Sequence, residues 1–188
     1  MKASSLINII VFISGAIVMS FEILGSRVLA PDFGNTIFVW GSLISVFLTG
    51  LSAGYYFGGK LADRDHSLKR LGVLLIVPAF MLITFPLYGK AICSLIFEMD
   101  MGERLSPLLA SMALFLIPSV FLGAVSPYVV KIKACNITAI GNTVGNLYAL
   151  STIGSIAGTL FTSFYLIGIA GVGILIFSQG VLLLIIST

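Results

Sequence analysis

Residues 6–30 read LINIIVFISGAIVMSFEILGSRVLA, a run interrupted by only two charges, Glu22 and Arg27. A helix needs about 20 such residues to cross the hydrocarbon core of a bilayer. Lys2 precedes the run as in a secretory leader. The run is nevertheless too long for a leader's apolar core, and no small-residue cleavage site breaks it, so it reads as a retained span.

Five further segments of the same kind follow, at 36–59, 71–88, 105–130, 140–167 and 169–186. The expectation is an all-α, polytopic bundle of six transmembrane helices forming one integral membrane domain over 1–188. Composition agrees: 59% of the 188 residues are hydrophobic and 9% charged, against roughly a quarter charged in soluble domains. Ten Lys/Arg and seven Asp/Glu cannot wet so apolar a surface. A disordered chain, a disulfide scaffold and a basic nucleic-acid binder are excluded, because the net charge of +3 is spread over short loops. The first partner implied is the lipid bilayer, and the expected location is the inner (plasma) membrane of a prokaryote.

Lys and Arg in short loops set orientation. Lys2, Lys60, Arg64, Lys69, Arg70, Lys131 and Lys133 all fall on one side if six spans alternate. Lys90 and Arg104 on the other side are offset by Glu98, Asp100 and Glu103. Both termini are therefore expected in the cytoplasm, with Trp40 and Tyr88 near the outer interface. Cys93 and Cys135 then lie a membrane thickness apart, beyond the ~7 Å reach of a disulfide. His66 has no Cys or His neighbour, so no metal site is expected, and no cofactor.

Gly50, Gly54 and Gly58 repeat every four residues in the second span, and Gly154 and Gly158 do so in the fifth. Small residues at this spacing let helices approach closely in lipid. The two glycine-rich spans are three apart, which points to a repeat of spans one to three in spans four to six. Pro78, Pro86, Pro118 and Pro127 each remove a backbone donor inside a span.

An intramembrane charge is costly and marks a functional position by default. Glu22 lies about 6 Å past the midpoint of the first span and Arg27 further out, five residues on and poorly placed to pair with it. Asn142 and Asn146, one turn apart, and Tyr148 offer polar partners from the fifth span. The expected solute-binding set is thus Glu22, Arg27, Asn142, Asn146 and Tyr148, read beside the alternative that Glu22 and Arg27 are structural. No nucleophile with a base, HExxH, GxSxG or phosphate-cradling loop is present, and the chain by itself does not read as an enzyme.

Two resemblances follow from particular residues. Gly59-Lys60-Leu61-Ala62-Asp63-Arg64 with Lys69-Arg70 resembles the loop between the second and third helices of the major facilitator superfamily, and implies a half-facilitator architecture with Asp63, Arg64 and Arg70 latching helix ends. Asp65-His66-Ser67 stands where that loop normally has glycine. The closer likeness is to the membrane domain of multispanning spermidine-synthase-like proteins. It is carried by Phe21-Glu22-Ile23-Leu24-Gly25-Ser26-Arg27 with Leu29-Ala30-Pro31 and Phe33-Gly34, by Trp40 with Gly50-Leu51-Ser52-Ala53-Gly54-Tyr55, and by Gly145 to Ser155 with Gly158. In that family an aminopropyltransferase-like domain often follows; here no catalytic domain is present up to Thr188. Two readings stay open. One is a half-transporter for a small, cationic, polyamine-like solute, working as a homodimer. The other is a non-transporting anchor or regulator for a cytosolic aminopropyltransferase-like domain or partner.

Overall fold

A computed structural model describes residues 2–64, 67–133 and 140–187, with side chains from Ser5 onward. Asp65, His66 and Cys135 lie outside the described residues. The elements are α1 (Lys2–Phe33), α2 (Ile37–Arg64), α3 (Leu68–Glu98), α4 (Gly102–Lys133) and α5 (Ile140–Phe161), then a π-helical segment Thr162–Leu166, α6 (Ile167–Ile169) and α7 (Val172–Ser187). No strand occurs among the described residues. Five helices are long and apolar enough to cross a membrane, with α5 to α6 counted as one. The sixth expected span is the 16-residue α7, about 24 Å long. The helices also outrun the apolar stretches read from sequence: α3 continues to Glu98 and carries Cys93, which is buried.

Gly34 ends α1 in the left-handed region (φ 74°), its N–H donating to the Ala30 carbonyl at 3.0 Å, and the chain turns at once into α2. Ser67 caps α3, its hydroxyl accepting from the Arg70 N–H at 3.4 Å. The Tyr128 hydroxyl, from α4, donates to the Ser67 carbonyl at 3.2 Å.

The chief packing partners are α2 with α4, α1 with α5, and α3 with α7. Helices α2 and α4 cross where Gly54 meets Val120, Gly58 meets Ala124 and Gly123 meets Leu51. Helices α1 and α5 cross where Gly154 meets Phe12, Gly158 meets Ala16 and Gly15 meets Ser151. The second set is the first with α2 positions raised by one hundred and α4 positions lowered by one hundred and eight. The two halves of the chain thus pack by the same contacts at the same register. Between α3 and α7, which run antiparallel, Gly72 meets Ser187, Gly180 meets Ala79 and Ile83, and Gly173 meets Pro86. A repeat of three helices inverts its own direction across the layer, so the axis relating the halves lies across the helices.

Phe21, Phe47, Phe85 and Phe115, one from each of α1 to α4, fill the bundle's centre. Their rings meet at centroid distances of 5.1–5.9 Å, mostly edge to face. Such contacts add about 0.5–1.5 kcal/mol each to the burial itself. The cluster leaves no path along the middle of a single chain at this level.

At the basic end of the bundle Asp63 pairs with Lys131 of α4, Nζ–Oδ1 2.7 Å, so α2 and α4 are fastened there. The partner is on α4 because the glycine crossing brings those two helix ends together. Arg64 and Arg70 are exposed at the same end. The Asp63 and Lys131 side chains are themselves 69% and 48% exposed, and an exposed pair contributes about 0–1 kcal/mol. Asp63→Asn is therefore expected to change thermal stability in detergent by less than about 1 kcal/mol, with the difference vanishing in high salt.

Candidate functional site between the two halves

The groove between the α1–α5 pair and the α2–α4 pair holds a cavity of about 230 Å³. Its walls include Ser14, Gly15 and Val18 from α1, Leu51 and Tyr55 from α2, Leu122, Gly123 and Ser126 from α4, and Ser151 and Ser155 from α5. These ten residues are five equivalent pairs under the two offsets above: Ser14 with Leu122, Gly15 with Gly123, Val18 with Ser126, Leu51 with Ser151, Tyr55 with Ser155. The cavity therefore straddles the axis relating the halves. Tyr148 and Thr152 also line it.

A side chain at Gly15 or Gly123 would run into the backbone of Ser151 or Leu51, so glycine there serves the two helix crossings that flank the cavity. The cavity's polar side chains all carry hydroxyls. Two are occupied within the protein: Ser155 Oγ donates to the Gly15 carbonyl at 3.1 Å, and Thr152 Oγ1 to the Tyr148 carbonyl at 2.9 Å. Ser14 is 5% exposed, and its hydroxyl has no partner among the described residues. An unpaired buried hydroxyl costs about 1–3 kcal/mol unless something polar reaches it.

Tyr148 is the member of the expected set that lines this cavity. Glu22 is half-buried and stands one turn beyond Val18 on the stripe Ser14–Val18–Glu22, past the cavity wall. It forms no side-chain hydrogen bond or ion pair among the described residues, Arg27 included. Arg27 is exposed and lines a different crevice, between α1, α3 and α7. Asn142 and Asn146 do not join Glu22. Helices α1 and α5 run parallel, with Gly154 beside Phe12 and Thr162 bonded to Ser20, which puts Asn146 about eighteen residues, or ~27 Å, from the level of Glu22. The two amides bond each other instead, 3.3 Å apart, and Asn146 faces a recess shared with Lys133, which donates to Asn8 at 2.6 Å.

Sequence reasoning missed Ser14, Tyr55, Ser126, Ser151, Thr152 and Ser155 as one lining. The usable signal was the i, i+4, i+8 spacing of Ser14, Val18 and Glu22 in α1. It also missed a buried polar cluster: Ser20 and Thr162 share a hydrogen bond, and Gln179 Nε2 of α7 donates to Ser20. Thr162 opens the π segment, whose widened turn interrupts α5 where this cluster forms. The cluster ties α1, α5 and α7 together behind the cavity.

Among the described residues no group of three or more His, Cys, Asp or Glu is placed to hold a metal. No family model, curated protein or solved structure matches this chain.

Proposed function

We propose that this protein is a six-span, half-facilitator-like transporter of small polar solutes, with both termini cytoplasmic in a prokaryotic inner membrane. Two copies face each other through α1, α2, α4 and α5 and enclose the path. The hydroxyl-lined cavity on the axis between the halves is the solute site, and Glu22 is the charge at its mouth. One observation carries the reading: Ser14 offers a buried, unpartnered hydroxyl to a cavity built from equivalent residues of two inverted halves. Inverted-repeat transporters bind their solutes at such interfaces. The aromatic cluster supports the dimer, since it closes the centre of each copy and leaves the groove as the route. The likeness to spermidine-synthase-like membrane domains favours an amine as the solute, and Glu22 is the counter-charge we propose for a cationic one.

The test is uptake of labelled mono-, di- and polyamines into proteoliposomes. Wild type is expected to show saturable flux of at least one amine. Ser14→Val, which removes the free hydroxyl and fills the cavity with a methyl group, is expected to lower that flux roughly tenfold with an unchanged elution profile. Well-folded wild type that moves no amine overturns the proposal, and copurification of a soluble aminopropyltransferase with such protein would establish the anchor reading in its place.

A further inference from the structure

The crevice that holds Arg27 lies at the other end of the bundle from Lys131 and takes no part in the cavity between the halves. It has a volume of about 430 Å³ and opens between α1, α3 and α7. Its floor is apolar, made by Val28, Phe85 and Ile176. Its rim carries Arg27 and Asp32 from α1 and Lys90 from α3. These three charges line one crevice, yet none forms an ion pair with another described residue. Gly89 leaves room for the Phe85 ring one turn earlier on the same helix, since a methyl group at 89 would lie 2.7 Å from that ring.

The depths of the charges are ordered. Helices α1 and α3 have 32 and 31 residues, so each is about 47 Å long and overhangs a ~30 Å hydrocarbon layer by about 8 Å at either end. Arg27 lies six residues short of the end of α1, roughly 9 Å in, at the boundary of that layer. Lys90 lies eight residues short of the end of α3, roughly 12 Å in. Asp32 is one residue from the end of α1, among the headgroups. Two cations at the hydrocarbon boundary are costly unless an anion reaches them. A carboxylate sits some 7 Å further toward water. A phospholipid with an ethanolamine headgroup has the same order along its length: apolar chains, then phosphate, then ammonium.

We infer that this crevice binds one phosphatidylethanolamine-type lipid, its phosphate between Arg27 and Lys90, its ammonium on Asp32 and the root of an acyl chain over Phe85 and Ile176. The assignment rests on the membrane-spanning part of the reading above and not on transport. None of its residues lines the solute cavity, so a protein without flux still answers this test.

Delipidated full-length protein in detergent is given phosphatidylethanolamine, phosphatidylcholine or phosphatidylglycerol at equal mole fraction, and retained lipid is counted by native mass spectrometry. Wild type is expected to retain one phosphatidylethanolamine in clear preference to the other two. Arg27→Gln with Lys90→Gln is expected to lower retention of all three roughly tenfold. Asp32→Asn is expected to bring phosphatidylethanolamine down to the level of phosphatidylcholine while leaving the phosphate-dependent part, and as a single change at the end of a helix it supplies a folded variant if the double one fails. Equal retention of the three lipids by wild type, or retention unaltered in folded variants, overturns the inference. Displacement of the lipid by soluble O-phosphoethanolamine at comparable concentration would overturn it in favour of a water-soluble phosphate ester.

Discussion

Gly54→Leu and Gly154→Leu are each expected to keep the bundle from assembling, seen as loss of the monodisperse peak in detergent or a large fall in melting temperature. At Gly54 a methyl group would lie 2.9 Å from the Ala124 nitrogen and 3.0 Å from Gly123 Cα, and closer still to the Val120 carbonyl. At Gly154 it would lie 2.9 Å from the Phe12 carbonyl carbon and press on its oxygen. These are backbone atoms, which cannot turn aside as a side chain does. Overpacking against yielding side chains costs about 1–3 kcal/mol, and a rigid backbone puts these variants at or above the top of that range. The helices must part, and with them go the dispersion contacts that hold helices together in lipid. The controls lie in the same two helices. A methyl group at Gly59 or Gly145 meets nothing within 4 Å, so leucine there is expected to leave melting unchanged. Because Gly54 and Gly154 occupy equivalent places, their effects should be alike in size. Wild-type melting of Gly54→Leu, or a strong effect at Gly54 with none at Gly154, would refute the shared register.

The glycine stripes were legible in sequence, but their partners were not. Spacing of four identifies a small-residue seam on α2 and on α5. It says nothing of which helix fills the seam, since in lipid every neighbour is apolar. The paired registers, Gly58 on Ala124 and Gly158 on Ala16, give the repeat hinted at by the glycine spacing its alignment, for which the few identical residues at those offsets are too sparse. Helix existence was legible for a simpler reason: long apolar runs admit no other structure in lipid. Helix ends were not, because α3 extends through polar positions out to Glu98 where hydropathy has already fallen. For the candidate site the intramembrane charge drew attention to Glu22, while the hydroxyls around Ser14 went unread, serine being common in spans and silent until four helices bring it together. The expected grouping of Glu22 with Asn142 and Asn146 failed on register: proximity of two helices was inferred correctly in α1 and α5, but not the level at which they meet.

Glu22→Gln is expected to abolish amine flux while leaving the protein as stable as wild type or more so. The carboxylate is half-buried in a helix long and apolar enough to cross a bilayer, and no described residue bonds to it. A charged side chain near the centre of a span costs about 2.5–3.5 kcal/mol on insertion scales, so a carboxylate that holds no structural partner gains by neutralisation. Glutamine preserves shape and hydrogen-bonding capacity and removes the charge alone. Solute attraction through Coulomb forces in a partly dehydrated groove is worth more than in water, and its loss should lower flux by at least about tenfold. Melting temperature in detergent and uptake in proteoliposomes measured on one preparation separate the two outcomes. If instead Glu22→Gln melts well below wild type and moves solute at an unaltered rate, the carboxylate is a structural group, and the solute site must rest on the Ser14 hydroxyl and its neighbours without it. Glu22→Asp sharpens the comparison: it keeps the charge but withdraws it by one methylene, so partial flux with a raised half-saturation concentration is the pattern of a charge that meets the solute at the mouth of the groove.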